Sequence, residues 1–273
     1  MWIQIADFPT THAFSTCRGG QSVAPFDSLD LSLIDAPESP RRAAIDDNAR
    51  RLTHALGLHP ACVATVRQVH GTRIVEVVDP CDPLTAATDE RVTFAPDLDR
   101  DRLSPPLCEA DGLITRSPRI ALAIRTADCV PVLLFGQAPG VRHAIAALHA
   151  GWRGSFENIA ARAVRLFADR FDIAPRHIQA AIGPCIGPCC YEVSRALARD
   201  FEARFGAGVV QIVNGAPHLD LVQVNRRALL DAGLSESSIH ASARCTACES
   251  ERFFSHRRDL GQTGRHLSIV ALA

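Results

Sequence analysis

The chain has 273 residues, of which 47% are hydrophobic and 22% are charged, and a globular chain of about this size buries roughly three quarters of its unfolded surface. Its 29 basic and 30 acidic residues leave a formal net charge of -1, which argues against a general nucleic-acid binder. Every basic residue is an arginine, so Schiff-base, pyridoxal-phosphate and P-loop chemistries, which need a lysine at the reacting centre, are excluded.

The first residues and the apolar runs of the chain do not predict a targeting or membrane-spanning segment. The first residues, MWIQIADFPT, lack a basic segment followed by an apolar run, so we expect no signal peptide. The apolar stretch 130–141 is interrupted by proline and glycine and is too short to cross a bilayer. The ten cysteines do not indicate a disulfide framework, because such frameworks serve small secreted domains. A cytoplasmic protein with reduced thiols is expected.

The first clear element is a helix. Ser39-Pro40 has the residue types of an N-cap and a first helical position, and apolar residues then recur at helical spacing until Gly57. Short strands are predicted at 62–69 and 74–78. The polar, proline-containing stretch 79–106 is predicted to be a surface loop.

The middle of the chain contains four strand-like runs rich in Val, Ile, Leu and Ala, at residues 112–115, 120–125, 130–135 and 143–149. Their nearly continuous apolar character predicts a sheet covered on both faces. An amphipathic helix is predicted from Ser155 through Phe171. The remaining predictions are a strand at 177–182, helices at 194–205 and 219–232, and a closing strand at 265–272.

This order mixes strand–helix alternation with consecutive strands, and no composition break marks a linker. We therefore expect an α+β (α/β) fold with layered mixed β-sheets flanked by helices. Residues 1–273 are expected to form a single catalytic domain.

Three predicted strand ends carry a residue that can bind a metal: His70, Cys129 and His149. Loops at strand ends present side chains to pockets, and the glycines after the two histidines permit sharp turns. Two imidazoles and one thiolate supply three zinc ligands and leave the fourth position open, as in catalytic zinc sites. Taken singly, a histidine at a strand end is more often a hydrogen-bonded core residue, and a lone buried cysteine is usually a small hydrophobic residue.

The chain also resembles a known family over nearly its whole length. The segments that carry the resemblance are FSTCRGG, VRQVHG, ADGLIT, RTADCVPVLL, LHAGWRG, AAIGPCIGPCCYEV, LDLVQVNRRALL and CTACESERFFSHRRD. They are similar to the laccase-domain, polyphenol oxidase-like family, which is also called the purine nucleoside phosphorylase or peptidoglycan editing factor family. HAGWRG and IGPCIGPCCYEV are long and unusual strings, which makes the resemblance specific.

The resemblance implies a mixed α/β fold and a zinc ion held by His70, Cys129 and His149. It also implies phosphorolysis of adenosine, inosine and methylthioadenosine, deamination of adenosine, and a role in removing wrong amino acids from cell-wall precursors. Purine nucleosides and phosphate are then the expected partners. One feature departs from the family: Cys17 stands where the family usually has an arginine after FST, so Arg18 is displaced by one residue.

Four residues beside the expected ligands are further candidates. Arg67 and Arg153 have the geometry to hold phosphate or a carboxylate by paired hydrogen bonds, or else pair a structural carboxylate. Asp128 is a candidate to orient a histidine or relay a proton, or else a structural acceptor. Trp152 is the closest ring for stacking on a base, or else a core residue.

A second cysteine set stands later in the chain, in CxxxCC and CxxC patterns: Cys185, Cys189, Cys190, Cys245 and Cys248. Four of these thiolates would suffice for a structural zinc site, but one CxxC is a weaker signal than two. The other interpretation is that the thiols pack around a tight glycine- and proline-containing loop.

Three other functions remain open at this stage. A metal-independent cysteine hydrolase acting on cell-wall precursors would use Cys129 as nucleophile with His149 or His70 as base. A copper-dependent phenol oxidase would need more histidine ligands than these three residues supply. A module that binds metal only for stability would have a closed set of four ligands.

Overall fold

Two stacked β-sheets with helices on their outer faces form the core of the computed structural model, which describes residues 1–33, 39–81 and 90–272. The helices in this part of the chain are α1 (Pro40–Ala55), α2 (Trp152–Phe156), α3 (Ile159–Phe171), α4 (Arg195–Phe205) and α5 (Leu221–Asp231). The strands are β1 (Trp2–Ile3), β2 (Thr11–Ser15), β3 (Val63–Ala64), β4 (Ile74–Val78), β5 (Arg91–Thr93), β6 (Gly112–Thr115), β7 (Ala121–Thr126), β8 (Val130–Gly136), β9 (Ala144–Ala150), β10 (Ile178–Ile182), β11 (Val210–Val213), β12 (Ala216–Leu219), β13 (Ile239–Ala241) and β14 (His266–Ala271).

The two large sheets are both mixed. One has five strands in the order β1-β2-β14-β7-β3, and the other has seven in the order β13-β10-β8-β9-β6-β4-β5. Each combines antiparallel pairs, such as β8 with β9, with parallel pairs, such as β4 with β6 and β3 with β7. The α+β class with layered mixed sheets, expected from the sequence, is confirmed.

Side-chain alternation along the strands creates the layers. In β7, Leu122 and Ile124 pack in the core between the sheets, whereas Ala121 and Ala123 belong to the core under α1. In β9 the odd-numbered residues face the other sheet, and the even-numbered residues pack under α3 and α5. Because β7, β8 and β9 are covered on both faces, their sequences are almost entirely apolar.

Most predicted elements are present with small changes at their ends, but the strand predicted at 62–69 is reduced to the two residues of β3. Helix α1 begins at Pro40, as the sequence predicted, and β14 closes the five-stranded sheet. The four apolar runs of the middle segment do not share one sheet, because β7 belongs to the five-stranded sheet and the other three to the seven-stranded one. The chain crosses between the sheets in the turn before β8, where Asp128 has a φ of 93°.

Two further predictions need correction. The helix predicted from Ser155 to Phe171 is divided into α2 and α3, since Asn158 has a left-handed φ of 60°, a conformation that asparagine tolerates better than most residues. The stretch 79–106 is not loop throughout, because β5 lies within it and pairs with β4. Residues 82–89 of that stretch lie outside the described residues.

None of the helices in the described part of the chain combines the length and apolar character needed to cross a bilayer.

We predict that His266 makes folding stability fall in mild acid. The side chain is buried beside Phe253 and Phe254, and its Nε2 accepts a 2.9 Å hydrogen bond from the amide of Phe254. Burial lowers the pKa of His266 to about 4, so between that value and the ordinary 6.5 only the unfolded chain binds the proton, and stability rises with pH.

Urea unfolding at pH 7 and pH 5 tests this expectation. The wild type should lose about 2 kcal/mol more than His266→Gln between these two pH values. An equal loss in both proteins would show that His266 titrates normally in the folded state.

Candidate active site

His70, Cys129 and His149 lie together at one end of the two sheets. Their ligand atoms are all within 4.8 Å of one another, and the two imidazole centroids are 4.8 Å apart. The antiparallel register of β8 and β9 places Val130 opposite Ala150, so the residue before β8 and the penultimate residue of β9 are neighbours. Pairing of two strands therefore brings Cys129 to His149.

The side chain of His149 continues the alternation of β9. Ile145 and Ala147 face the core between the sheets, and His149 has the same orientation at the end of that layer. The His149 side chain is buried, whereas His70 is exposed. Gly151 packs closely against this group. A Cβ at this position would lie 3.2 Å from Cδ2 of His70 and 3.3 Å from Sγ of Cys129.

Asp111 holds two of the three residues in place. Its Oδ1 lies 2.8 Å from Nδ1 of His149 and accepts the amide of His70 at 2.9 Å, and its Oδ2 accepts the amide of Gly71 at 2.6 Å. Gly112 pairs with Leu148, which places the preceding residue, Asp111, opposite His149. A fully buried carboxylate thus fixes both the imidazole and the loop that carries His70.

The buried groups hold complementary charges. Burial raises the pKa of the Cys129 thiol, but the imidazoles of His149 and His70 outweigh burial and lower the pKa to about 6. Burial lowers the pKa of His149, but the Cys129 thiolate and the Asp111 carboxylate raise it to about 9. Burial likewise raises the pKa of Asp111, and His149 and the amide of Gly71 bring it below its usual range.

These residues fit a zinc ion. Two imidazoles and one readily ionised thiol are a ligand set that zinc favours, and three protein ligands leave one position for a water or a substrate. Nδ1 of His149 donates its hydrogen bond to the Asp111 carboxylate, which leaves Nε2 as the ligand atom. A carboxylate behind a ligating histidine is a common arrangement in metal sites.

The three residues line a cavity of about 840 Å³, a volume sufficient for a nucleoside-sized molecule. Aromatic rings and arginines form much of the remaining wall: Phe26, Trp152, Tyr191, Arg41, Arg125, Arg257 and Arg265. The cavity thus combines flat rings, positive charges and a group of metal-binding side chains.

Alternate side chains of the segment VRQVHG line the cavity. Val66, Gln68 and His70 line it, whereas Arg67 is exposed and is not among the described residues of the wall. The side-chain Nε2 of Gln68 donates to the backbone carbonyl of Arg125 at 2.6 Å, and its Oε1 accepts the backbone amide of Arg125 at 2.7 Å. Gln68 thereby fixes this segment against β7.

The structure places Trp152, but not Arg153, in the cavity wall. Arg153 is exposed, and its guanidinium lies 4.7 Å from the centroid of the Trp152 indole. The two arginines that the sequence suggested for anion binding, Arg67 and Arg153, are thus not among the residues that line the cavity.

Other arginines line the cavity, among them Arg41, Arg125 and Arg265. Arg41 forms an ion pair of 2.5 Å with the buried Asp30, whose other oxygen accepts the amide of Arg265 at 3.0 Å. Arg125 donates to the carbonyl of Leu31 at 2.8 Å. Burial lowers the pKa of Arg125 to about 10, so its guanidinium remains charged at neutral pH. Asp30 pairs with only one of these three guanidiniums, that of Arg41.

Asp128 lines the cavity and also joins two loops. Its carboxylate accepts the hydroxyl of Thr246 at 2.7 Å and the amide of Arg257 at 2.7 Å. It thereby holds the loop that follows β13 against the turn before Cys129. The residue that orients a histidine is Asp111, and sequence reasoning missed it, although it stands in the motif ADGLIT.

Two more residues of the wall were not selected from the sequence. Burial raises the pKa of Tyr191 to about 12, so its phenol stays protonated, and the guanidinium of Arg257 lies 5.0 Å from the centroid of its ring. Tyr191 stands in the quoted motif CCYEV, and Arg257 in FFSHRRD. Arg18, in contrast, is exposed and pairs with Glu251 at 2.9 Å outside the cavity wall.

Comparisons with known proteins agree on one family. The profile of the family described as multi-copper polyphenol oxidoreductase laccase matches residues 11–273. The purine nucleoside phosphorylase YlmD of Geobacillus stearothermophilus is 35% identical over 260 residues, covering 94% of this chain and 88% of that protein. A purine nucleoside phosphorylase of Deinococcus radiodurans is 36% identical over 264 residues, covering 96% and 88%.

Solved structures show the same relationship. The crystal structure of YlmD from Geobacillus stearothermophilus superimposes with a TM-score of 0.80 at 33% identity and covers 99% of this chain and 98% of that one. The hypothetical protein YfiH of Bacillus licheniformis gives a TM-score of 0.80 at 32% identity, with 98% of both chains covered. The fold and site define a protein of the laccase-like class. This chain belongs to the multi-copper polyphenol oxidoreductase laccase family, together with the YlmD and YfiH proteins.

The position of Asp111 generates a prediction about metal affinity. Asp111→Asn should weaken the binding of added zinc by about 10- to 100-fold, because a partner behind a ligating histidine fixes its orientation and tautomer. Competition with a chromophoric chelator would measure the change.

Asp79→Asn is the matched control, since Asp79 is also buried but contacts Ser117 and Cys81 rather than this site. Unchanged zinc affinity in Asp111→Asn would contradict the role given to Asp111.

Proposed function

We propose that this chain is a zinc-dependent purine nucleoside enzyme that acts as one catalytic domain. The observation that carries the proposal is the open group of three ligands, His70, Cys129 and His149, in the wall of a cavity that also contains flat rings and arginines. Relatives named purine nucleoside phosphorylase support a nucleoside-processing enzyme. We propose a cytoplasmic enzyme, and the near-zero net charge argues against a nucleic-acid partner.

Zinc is proposed rather than copper because of the donor set. Histidine and cysteine ligands gather in only two groups within residues 1–33, 39–81 and 90–272, and the group in the cavity has three members. A multicopper centre would need more histidines around this point. When bound, zinc would act as a Lewis acid on a substrate oxygen and lower the pKa of a water.

The residues of the wall suit a purine nucleoside and phosphate. Trp152 and Tyr191 offer ring faces for the purine. The positive charge of Arg41, Arg125 and Arg265 suits phosphate, which arginine binds by paired hydrogen bonds. In a chain without lysine, arginine side chains and backbone amides must hold this anion.

Phosphorolysis needs two reactants and a proton in one place. An oxygen of phosphate bonds to the anomeric carbon of the ribose as the bond from that carbon to the purine nitrogen breaks, and the departing base takes up a proton. Holding phosphate and nucleoside side by side lowers the entropic cost of their encounter. We propose adenosine, inosine and methylthioadenosine as substrates, and deamination of adenosine as a second reaction of the site.

A second candidate function is favoured by one observation. The Cys129 thiol has its pKa lowered to about 6 beside His149, and His149 is bonded to Asp111. A thiolate, an imidazole and a carboxylate in this order also form the machinery of a metal-independent cysteine hydrolase. Such an enzyme would cleave an amide, for example in a cell-wall precursor.

Product analysis tests the proposed function. Protein of known metal content is incubated with adenosine or inosine, with and without phosphate, and the products are separated. We expect free base only when phosphate is present, and inosine from adenosine without it. Absence of turnover with both nucleosides would contradict the purine nucleoside proposal.

Metal removal separates the two candidates. A strong chelator should abolish turnover until zinc returns, and Cys129→Ala, His70→Ala and His149→Ala should each reduce bound zinc. Activity in metal-free protein that is lost on thiol alkylation would favour the hydrolase instead.

The arginines of the wall give a further prediction. Arg265→Ala should raise the KM for phosphate by about 10- to 100-fold, because a charge-assisted hydrogen bond contributes roughly 1.5–3 kcal/mol, and it should change deamination much less. Arg67→Ala is the control, since Arg67 is exposed outside the cavity wall. Equal losses in phosphorolysis and deamination would indicate that Arg265 has a structural role.

A further inference from the structure

A second cluster of thiols lies apart from the three ligands described above. The Sγ atoms of Cys189, Cys190, Cys245 and Cys248 are all within 4.8 Å of one another. Sγ of Cys248 lies 3.4 Å from that of Cys189 and 3.3 Å from that of Cys190. One loop after β10 and one after β13 each contribute two of the four residues.

The distances match a shared metal ion better than disulfides. Zinc–sulfur bonds of about 2.3 Å in a tetrahedron place the sulfurs about 3.8 Å apart. Sulfurs joined in a disulfide are about 2.05 Å apart, and a pair excludes third partners. Here Cys248 lies at nearly the same distance from two sulfurs, so the side chains converge on one point.

The backbone around the cluster has the features of a thiolate site. The amide of Gly187 donates to Sγ of Cys245 at 3.2 Å. A Cβ at residue 187 would lie 3.3 Å from Sγ of Cys189 and 3.4 Å from Cβ of Cys245, so glycine permits this close approach. A backbone amide pointing at a ligating sulfur stabilises its negative charge.

The fifth cysteine of the sequence pattern does not belong to the cluster. Cys185 is buried, and its backbone forms a β-bridge with Cys245, with the amide of Thr246 donating to the Cys185 carbonyl at 2.9 Å. Cys185 thus aligns the two loops through its backbone, while its side chain packs in the core under the helices.

We propose that Cys189, Cys190, Cys245 and Cys248 bind a second zinc ion as a closed, structural tetrathiolate site. Four thiolates in a tetrahedral arrangement suit zinc, and a closed set leaves no position for a substrate. The thiols release their protons to solvent when the metal binds.

The site has a definite mechanical consequence. The loop after β10 carries Ile186 and Tyr191 into the cavity wall, and the loop after β13 carries Thr246, which is bonded to Asp128 beside Cys129. A metal that joins these loops fixes one wall of the cavity and supports the turn that holds Cys129. The inference does not depend on which reaction the cavity performs.

Metal stoichiometry tests the proposal. Full-length protein prepared under reducing conditions and saturated with zinc should retain two zinc ions per chain after gel filtration. The double variant Cys245→Ser/Cys248→Ser should retain one. The exposed Cys81 lies outside the cluster, so Cys81→Ser is the matched control and should retain two. The variant His70→Ala/His149→Ala should lose only the zinc of the cavity.

Cobalt substitution distinguishes the sites without relying on activity. In the His70→Ala/His149→Ala background, bound cobalt should show the strong thiolate charge-transfer absorption of a tetrathiolate. Cys248→His keeps four ligands, so it should keep the metal and weaken this absorption, which covers the case in which the double serine variant fails to fold.

Several results would overturn the proposal. One is an equal zinc content in the wild type and in Cys245→Ser/Cys248→Ser, and another is the absence of thiolate–cobalt absorption in the histidine variant. A disulfide among the four cysteines that persists under the reducing conditions would also contradict the proposal.

Discussion

The buried carboxylate of Asp111 is the interaction on which the rest of the site depends. It accepts the amides of His70 and Gly71 and bonds to Nδ1 of His149, so one residue fixes a loop and a strand end together. A charged group is stable at this depth only because donors and an imidazole surround it. Because Nδ1 of His149 is bonded to Asp111, Nε2 points away from the carboxylate. This orientation sets the side from which His149 can bind a metal.

The two sheets determine where this group meets solvent. Their inner faces are filled with aliphatic side chains along most of the strands, and the layer ends at the turn around Asp128, where the chain passes from one sheet to the other. Ile145, Ala147 and His149 point to the same side of β9, and His149 is the last of the three, at the end of the core. The cavity therefore forms at the open end of a tightly packed core, with a rigid base and loops as walls.

The loops of the wall are held by polar bonds rather than by apolar packing. Asp128 binds Thr246 and the amide of Arg257, and Asp30 binds Arg41 and the amide of Arg265. Each buried carboxylate thus restrains a loop that carries an arginine into the cavity. The cluster of four cysteines joins two loops of the same wall, and the inferred zinc would add a stiffer connection than hydrogen bonds alone provide.

The local pattern of the chain was enough to predict helix α1, most strands and His70, Cys129 and His149 as candidate ligands, because periodicity, caps and strand ends are short-range features. The family resemblance strengthened the prediction that these three residues form one site. Tertiary structure decided the rest. Asp111 faces His149 through the register of β6 with β9, and β7 leaves its neighbours for the other sheet. Arg67 and Arg153 are not among the residues of the cavity wall, whereas Arg41, Arg125 and Arg265 are brought there from three separate segments. Register, sheet partner and side-chain direction depend on contacts between residues far apart in the chain, and no local pattern encodes them.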